Sequence, residues 1–383
     1  ATHRDQSDAE KYQKREKLFG TDDVYPMWVA DMEFQAAPAI VNALRQRAEH
    51  GVYGYAEPDS ELFDLASSWL GKRHALDVSS DLIRSSPSIM TTMSAAVEAF
   101  SDKGDGVTVM TPIYPPFLEV VQTQERVLHT VTLTQGESRF EIDFDALERA
   151  LEKSSLFLLC NPHNPVGRVW EIAELEKMAQ LCLKHEVFII SDDAHCDIVM
   201  PGFTYQSITQ VNEEIKKQSL TLFGPGKGFN VSGLSATLFF SHSKDILKAV
   251  EKVFKARHVV AGQFMAYEAV KGAYGHSDVW LDELIPYLDA NFEFALKQIN
   301  EKMPKLKAFK SEGTYLLWID CEGMGLSDHK LKQFFVEKAH LGLSQGRFFG
   351  AGGSGFMRMN MAVQKDALEK AFRDLFLAYN NNL

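Results

Sequence analysis

A single lysine offers the clearest chemistry in this sequence. Lys227 follows an apolar run at residues 220–223 and stands in a turn between Gly226 and Gly228. Lysine amines form Schiff bases with carbonyl compounds, and glycine lets a bulky group approach the backbone closely. A lysine after a strand is more often simply solvated, so a chemical role for Lys227 depends on the polar residues that accompany it.

Two polar segments upstream of Lys227 strengthen its case. Asp192 and His195 follow another apolar run, and Asn164 lies in a turn rich in proline and glycine at 161–167. Each has an ordinary structural interpretation, because Asp caps helices and turns, Asn is a common turn residue, and a lone histidine is usually structural. The chemical interpretation is that Asp192 faces a cationic ring nitrogen. Such a carboxylate keeps a pyridinium ring protonated, which makes the ring an electron sink.

Two further residues are candidates for binding a small molecule. Arg358 lies in an apolar stretch at 356–361, where a buried arginine must be paired, and its planar guanidinium suits a carboxylate. The alternative is an exposed position at a sheet edge. Tyr114 either belongs to the core or stacks on a flat cofactor.

Two familiar phosphate-binding patterns do not apply. Gly226 and Lys227 form no P-loop, because Thr221 takes the place of its first glycine and Gly228 replaces the magnesium-binding Ser or Thr. Residues 350–355 match G-x-G-x-x-G, but they precede a predicted strand and open no helix. We interpret them as a mobile loop at the mouth of the site.

The elements that must position these residues alternate between strands and helices. Short apolar strands are predicted at 107–111, 127–133, 156–160, 187–191, 220–223 and 236–241. Helices are predicted at 38–50, 59–73, 88–101, 115–124, 144–152 and 172–185. This alternation is typical of a mostly parallel sheet covered on both faces. Ligands bind beyond the carboxyl ends of such strands, where Asn164, Asp192 and Lys227 all fall.

The pattern differs at both ends of the chain. Residues 1–30 are predicted to form an irregular arm. After residue 280, a smaller α+β domain is predicted from helices and strands at 282–303, 314–320, 330–339, 356–362 and 365–379.

Composition excludes several classes of partner. The chain has 383 residues and a net charge of −12, which argues against nucleic acid and anionic membranes as partners. No apolar run approaches the ~20 residues that span a bilayer, and the polar start shows no signal sequence. The four cysteines lack zinc spacing and suit a reducing compartment. We therefore expect a cytoplasmic protein without a metal site.

Taken together, these residues resemble the fold-type I pyridoxal-phosphate (PLP) enzymes. More narrowly, they resemble the cystathionine β-lyase branch of the class I/II aminotransferase family, the carbon–sulfur β-lyases called MalY/PatB. The likeness runs from residue 27 to residue 360, and its most specific stretches are 27–34, 160–168 and 192–197.

The resemblance implies a fold and a domain division. The fold is α/β, with a large domain built on a mostly parallel seven-stranded sheet (the PLP transferase type I fold) and a smaller α+β C-terminal domain. Residues 1–45 would form an N-terminal arm belonging to the small domain. Residues 46–280 would form the PLP-binding domain, and 281–383 the small domain.

The resemblance also implies a role for each site residue. Lys227 would hold PLP covalently, with the other cofactor-binding positions being Tyr55, Ser88, Ile89, Met90, Tyr114, Asn164, Asp192 and His195. Ser88, Ile89 and Met90 would offer backbone N–H groups to the phosphate, as helix N-termini do. Asp192 would pair with the pyridine nitrogen, Asn164 with the phenolic oxygen, and Tyr114 would stack on the ring.

The substrate and a partner subunit would contact other residues. Arg358 would clamp the substrate α-carboxylate, with Ala30 and Asp31 near the entrance. Tyr55 would reach the phosphate in a neighbouring subunit, so a homodimer with shared sites is expected.

The sequence departs from the wider aminotransferases at positions near the lysine. Gly224 and Gly226 replace serines, Ser235 replaces a phosphate-binding arginine, and His195 replaces a tyrosine. The histidine and the missing arginine fit the β-lyase branch. The lost serines leave the phosphate with fewer recognisable ligands.

The expected activity is PLP-dependent β-elimination. L-cystathionine, L-cysteine and related S-conjugates would give pyruvate, ammonia and a thiol, either homocysteine or hydrogen sulfide. One alternative is a PLP-dependent aminotransferase using the same lysine. Another is a regulatory or binding protein that keeps the fold without the chemistry, which has no need for Lys227.

Overall fold

The computed structural model describes residues 4–260 and 262–382. Its α-helices, numbered in chain order, are α1 (Glu10–Gln13), α2 (Arg15–Phe19), α3 (Pro38–Glu49), α4 (Ser60–His74), α5 (Ile89–Phe100), α6 (Pro115–Thr123), α7 (Phe144–Leu151), α8 (Ile172–Lys184), α9 (Glu213–Lys216), α10 (Pro225–Gly228), α11 (Lys244–Ala256), α12 (Phe264–His276), α13 (Asp278–Lys302), α14 (Asp328–Gln333) and α15 (Lys365–Asn382). None of the helices in this described part is both long and apolar enough to cross a bilayer.

The strands form two main sheets and two short pairs. They are β1 (Tyr25–Pro26), β2 (Ile83–Ser86), β3 (Gly106–Thr111), β4 (Val127–Thr132), β5 (Thr134–Gln135), β6 (Phe140–Glu141), β7 (Leu156–Cys160), β8 (Phe188–Asp192), β9 (Ser219–Phe223), β10 (Thr237–Phe240), β11 (Lys307–Ala308), β12 (Leu316–Asp320), β13 (Leu341–Gly342), β14 (Ser344–Gln345) and β15 (Phe356–Asn360).

The larger sheet has seven strands in the order β2-β10-β9-β8-β7-β3-β4. Strands β4, β3, β7, β8 and β9 are parallel, and β10 runs antiparallel to both of its neighbours. Every residue of β3, β7 and β9 is buried, because helices cover both faces of the sheet. Helices α5, α6 and α11 pack on one face, and α7 and α8 on the other. The predicted mostly parallel α/β sheet is confirmed.

The smaller sheet lies in the C-terminal part of the chain. Its four strands are antiparallel, in the order β11-β12-β15-β14. Apolar residues of α13 and α15 pack against β12 and β15 in a shared core. The predicted α+β character is therefore confirmed. The domain boundaries stay a prediction. Each of them falls inside a helix, because α3 contains residues 45 and 46 and α13 contains residues 280 and 281.

Some elements were missed in the sequence analysis. Strand β2 and helices α11 and α12 were not predicted, and α13 begins at Asp278 rather than residue 282. The predicted irregular arm at 1–30 contains α1 and α2, while its first three residues lie outside the described part. These two helices have 4 and 5 residues, too short to form without tertiary contacts, so periodicity could not indicate them.

A buried ion pair links the two sheets. Glu312, which precedes β12, accepts hydrogen bonds from Arg168 Nε (3.1 Å) and from the backbone N–H of Val169 (2.9 Å). Its second oxygen lies 2.7 Å from Arg139 Nη2. Glu312 and Arg168 are both buried, so neither charge has water as an alternative partner.

We expect Glu312→Ala to destabilise the protein by about 3–5 kcal/mol, because the change leaves the Arg168 guanidinium buried with its pairing reduced. The midpoint of urea unfolding measures the loss. Glu301→Ala, at an exposed position of α13, is the matched control. Equal midpoints for the two variants would contradict the assignment.

Candidate active site

Lys227 lies in α10, directly beyond the carboxyl end of β9. Gly224 precedes this helix where β10 passes closely, and a Cβ atom at Gly224 would lie 2.6 Å from the carbonyl oxygen of Ala236. The turn therefore requires glycine. Lys227 Nζ donates a hydrogen bond to the carbonyl oxygen of Ala30 (2.8 Å). Burial, reinforced by the charge of Arg358, lowers the pKa of Lys227 to about 8.

Asp192 is the last residue of the neighbouring strand, β8, and His195 lies just beyond it. One oxygen of Asp192 accepts a hydrogen bond from the backbone N–H of Ala194 (3.0 Å). Burial raises the pKa of Asp192 to about 6 and lowers the pKa of His195 well below its usual range. Within the described part of the chain, His195 Nδ1 has no hydrogen-bond partner. The His195 ring lies edge-on to Tyr315, with ring centroids 5.7 Å apart.

Arg358 is buried in β15, between β12 and β14. Its guanidinium donates to Asn164 Oδ1 (3.0 Å) and to the carbonyl oxygen of Trp28 (2.7 Å), and it lies over the ring of Phe349 at 4.9 Å. Its Nε has no partner in residues 4–260 and 262–382. The alternative of an exposed edge position is therefore wrong.

The N-terminus of α5 borders the same space. Ser88 is the N-cap of α5, and its hydroxyl accepts a hydrogen bond from the backbone N–H of Thr91 (3.0 Å). Helix N-termini present unpaired N–H groups and favour anions. Tyr114 is 38% exposed rather than part of the core, so one of its two predicted alternatives is excluded.

One cavity of about 1140 Å³ brings nearly all the predicted residues together. Its lining includes Ala30, Asp31, Ser88, Ile89, Met90, Tyr114, Asn164, Asp192, His195, Lys227 and Arg358. Tyr55 is fully exposed and outside this lining. Its contact with a neighbouring subunit therefore stays a prediction.

The loop at 350–355 is not where it was expected. It precedes β15 and opens no helix, as predicted. However, the cavity wall is formed by the preceding residues Arg347, Phe348 and Phe349 rather than by the loop itself. The aromatic side chains, not the glycines, therefore shape this side of the entrance.

Several cavity residues were missed in the sequence analysis. The hydroxyl side chains of Ser232, Ser235 and Thr237 line the cavity close to Lys227 in sequence. A cluster of three hydroxyl residues within ten positions of the lysine was the available signal. The backbone carbonyls of residues 28–31 gave no such signal, because any residue carries one.

The polar groups of this cavity match PLP in charge and type. An amine suits its aldehyde, and the buried carboxyl of Asp192 suits its pyridine nitrogen. The hydroxyls and the N-terminus of α5 suit its phosphate. The free Nε of Arg358 leaves a donor for an anionic substrate.

The chain belongs to the class I and II aminotransferase family, whose model matches residues 27–375. It falls in the PatB/MalY-like branch of that family, and its cofactor is pyridoxal 5'-phosphate. It is 37% identical to cystathionine beta-lyase PatB of Bacillus subtilis (strain 168), over 95% of this chain and 94% of that protein. It is 30% identical to protein MalY of Escherichia coli (strain K12), over 94% and 93% of the two chains.

A solved structure agrees closely with this fold. The PLP-bound putative aminotransferase from Clostridium difficile 630 superposes with a TM-score of 0.97 at 36% identity, covering 99% of this chain and 98% of that one. The predicted family and cofactor are therefore confirmed, whereas the roles of individual residues stay proposals.

The low pKa of Lys227, about 8, predicts how PLP capture depends on pH. Only the unprotonated amine attacks the aldehyde, so the rate of covalent capture by cofactor-free protein should rise about tenfold per pH unit and level off above pH 8. A solvated lysine would level off only above about pH 10. Absorbance after mixing measures the rate, and Lys227→Ala should show no covalent capture. A plateau delayed to pH 10 would contradict the lowered pKa.

Proposed function

We propose that the protein is a PLP-dependent carbon–sulfur β-lyase. Its substrates are L-cystathionine, L-cysteine and related S-conjugates, and its products are pyruvate, ammonia and a thiol. The observation that carries this proposal is that an amine, a buried carboxyl and a buried guanidinium, from Lys227, Asp192 and Arg358, line one cavity. The similarity to PatB, a protein named as a cystathionine beta-lyase, supports the reaction class.

The cofactor is held by residues from several elements. Lys227 would bind its aldehyde, Asp192 its ring nitrogen and Asn164 its phenolic oxygen, and Tyr114 would stack on the ring. His195 lines the same cavity. When bound, PLP supplies an electron-poor ring that accepts the electron pair left at the substrate Cα.

The phosphate is held at the N-terminus of α5. Ser88, Ile89 and Met90 are the residues at this end of the helix that line the cavity. The hydroxyls of Ser232 and Ser235 supplement them. They compensate for the two serines that are replaced by glycines before Lys227.

Arg358 orients the substrate. Its guanidinium is fixed by Asn164 and by the carbonyl of Trp28, so its remaining donors meet the substrate α-carboxylate without losing side-chain entropy. Ala30 and Asp31 border the space that the substrate enters. A fixed carboxylate places the Cα–H bond within reach of Lys227.

Lys227 moves the proton. When the substrate amine occupies the aldehyde in place of Lys227, the free amine of Lys227 would take the proton from Cα. The Cβ–S bond would then break, and the thiolate would leave with the bonding electrons and take that proton from Lys227. The unprotonated Lys227 would recover the aldehyde and so free the aminoacrylate, which water hydrolyses to pyruvate and ammonia.

A homodimer completes this proposal. Tyr55 is fully exposed, and its neighbours Val52 and Tyr53 are 63% and 58% exposed. Large apolar side chains exposed together indicate a surface that a partner covers. Covering this surface with a second copy would bring Tyr55 to the phosphate of the other subunit.

An aminotransferase is the second candidate, because it uses the same lysine and cofactor. We expect incubation of the purified protein with L-cystathionine, without a keto acid, to release pyruvate and free thiol in equal amounts. Lactate dehydrogenase coupling and a thiol reagent measure the two products. Lys227→Ala should lose turnover, because it lacks the base. Amino transfer that requires an added keto acid, without pyruvate release, would instead establish the aminotransferase.

We expect Arg358→Met to lower kcat/KM for L-cystathionine by about 30-fold, mainly through KM, because charge-assisted hydrogen bonds to the carboxylate contribute about 1.5–3 kcal/mol. Steady-state kinetics measure the effect. Arg373→Met, at an exposed position of α15, is the matched control. An unchanged KM would remove Arg358 from substrate binding.

A further inference from the structure

The segment at residues 28–33 connects the N-terminal arm to the reacting groups. Lys227 Nζ donates to the carbonyl oxygen of Ala30 (2.8 Å), and so does the hydroxyl of Tyr315 (2.9 Å). Arg358 donates to the carbonyl oxygen of Trp28 (2.7 Å). The placement of Lys227 and Arg358 therefore depends on where this backbone lies.

Lys11, from α1, fixes that segment from the other side. Its side chain is completely buried. Its Nζ donates hydrogen bonds to the Glu33 carboxylate (2.8 Å) and to the carbonyl oxygen of Asp31 (3.0 Å), and it forms an ion pair with the Asp31 carboxylate (2.8 Å). The indole N–H of Trp28 donates in return to the carbonyl oxygen of Lys11 (3.0 Å).

Lys11 also balances charge beside the cavity. Asp31 and Glu33 are paired with Lys11 and with Arg4, so the cluster holds two negative and two positive charges. Although burial favours the neutral acid, the two cations hold the pKa of Asp31 below its usual range. Asp31 lines the cavity that contains Lys227, and removal of Lys11 would leave one net negative charge there.

We propose that Lys11 is a positioning residue for the chemistry at Lys227. It holds the carbonyl group of Ala30 in place and neutralises a carboxylate charge that would otherwise act on the reactive amine. The proposal rests on the role proposed for Lys227, but it is independent of whether the reaction is elimination or amino transfer.

Other charged and titratable groups face Lys227 from the elements packed around it. They are Asp192 at the end of β8, His195 beyond β8, Arg358 in β15, Tyr315 before β12, and Tyr114 before α6. None of them contacts Lys11. A substitution of Lys11 therefore changes the electrostatic potential at Lys227 through the charge of Asp31 and the position of residues 28–33. An uncompensated anion favours the protonated amine.

The test is the pH dependence of kcat for the Lys11→Met holoenzyme. Lys227 must be unprotonated to act as base, so a raised pKa moves the acidic limb of the profile to higher pH, by roughly half a unit or more. The pH titration of the bound cofactor's visible absorbance should shift in the same direction. Lys14→Met is the matched control, since Lys14 is exposed and pairs with Glu10 rather than with residues 28–33.

A second background keeps the test decisive if Lys11→Met folds poorly. Asp31→Asn leaves the cluster with one net positive charge and should lower the acidic limb. The double variant Lys11→Met/Asp31→Asn is again neutral, so its limb should return upward. If Lys11→Met leaves the acidic limb of the pH profile in place in both the wild-type and the Asp31→Asn protein, and only lowers stability, then Lys11 is purely structural.

The same experiment separates this proposal from the proposed function. If wild-type protein fails to release pyruvate but its cofactor absorbance titrates and shifts in Lys11→Met, the reaction class is wrong and the role of Lys11 stands. If pyruvate is released but Lys11→Met shifts neither the pH profile of kcat nor the titration of the cofactor absorbance, the reaction class stands and the role of Lys11 is wrong.

Discussion

The site depends on keeping two cationic side chains in one cavity without pairing either to a carboxylate. Lys227 and Arg358 both line the cavity, and neither forms an ion pair with any residue in the described ranges. Burial and the neighbouring guanidinium lower the pKa of Lys227 to about 8, while Arg358, at about 10, keeps its charge near neutral pH. Under the proposed function, one cation thus serves as a nucleophile and the other as an anion receptor.

Neutral dipoles make this arrangement stable. One donor of Lys227 is met by the carbonyl group of Ala30, and two donors of Arg358 are met by the carbonyl group of Trp28 and the side-chain oxygen of Asn164. Such acceptors satisfy buried donors without cancelling their charge. The carboxylates that could have cancelled it, those of Asp31 and Glu33, are occupied by Lys11 and Arg4. The charges of the N-terminal arm therefore determine which charges remain unpaired in the site.

Much of this arrangement was predictable from sequence because it follows from strand ends. Continuous apolar runs identified β8 and β9, and parallel strands must deliver Asp192 and Lys227 to the same edge. Arg358 was a candidate because a guanidinium buried within an apolar strand costs free energy unless it has partners. The resemblance to a known family added the role of Asn164 and the choice of Ser88, whose local sequence is compatible with an ordinary turn and an ordinary helix cap.

What could not be predicted depends on contacts between distant parts of the chain. Lys11 lies in a charged stretch that resembles any solvated surface, and only the folded chain places it against Asp31 and Glu33. Strand β2 contains Arg84, Ser85 and Ser86, which do not form an apolar run, and pairing with β10 makes it a strand. Ser232 and Ser235 belong to a turn whose path is set by its packing.

The two glycines that precede Lys227, Gly224 and Gly226, differ in the space available for a side chain. At Gly224 the carbonyl of Ala236 occupies the space of a side chain, with only 2.6 Å to a Cβ atom, so this position is closed. At Gly226 the nearest atom to a Cβ would be Ser232 Oγ, at an ordinary 3.4 Å. A serine can therefore be regained at one position but not at the other. As long as β10 approaches this closely, position 226 is the one of these two that has room for a hydroxyl side chain.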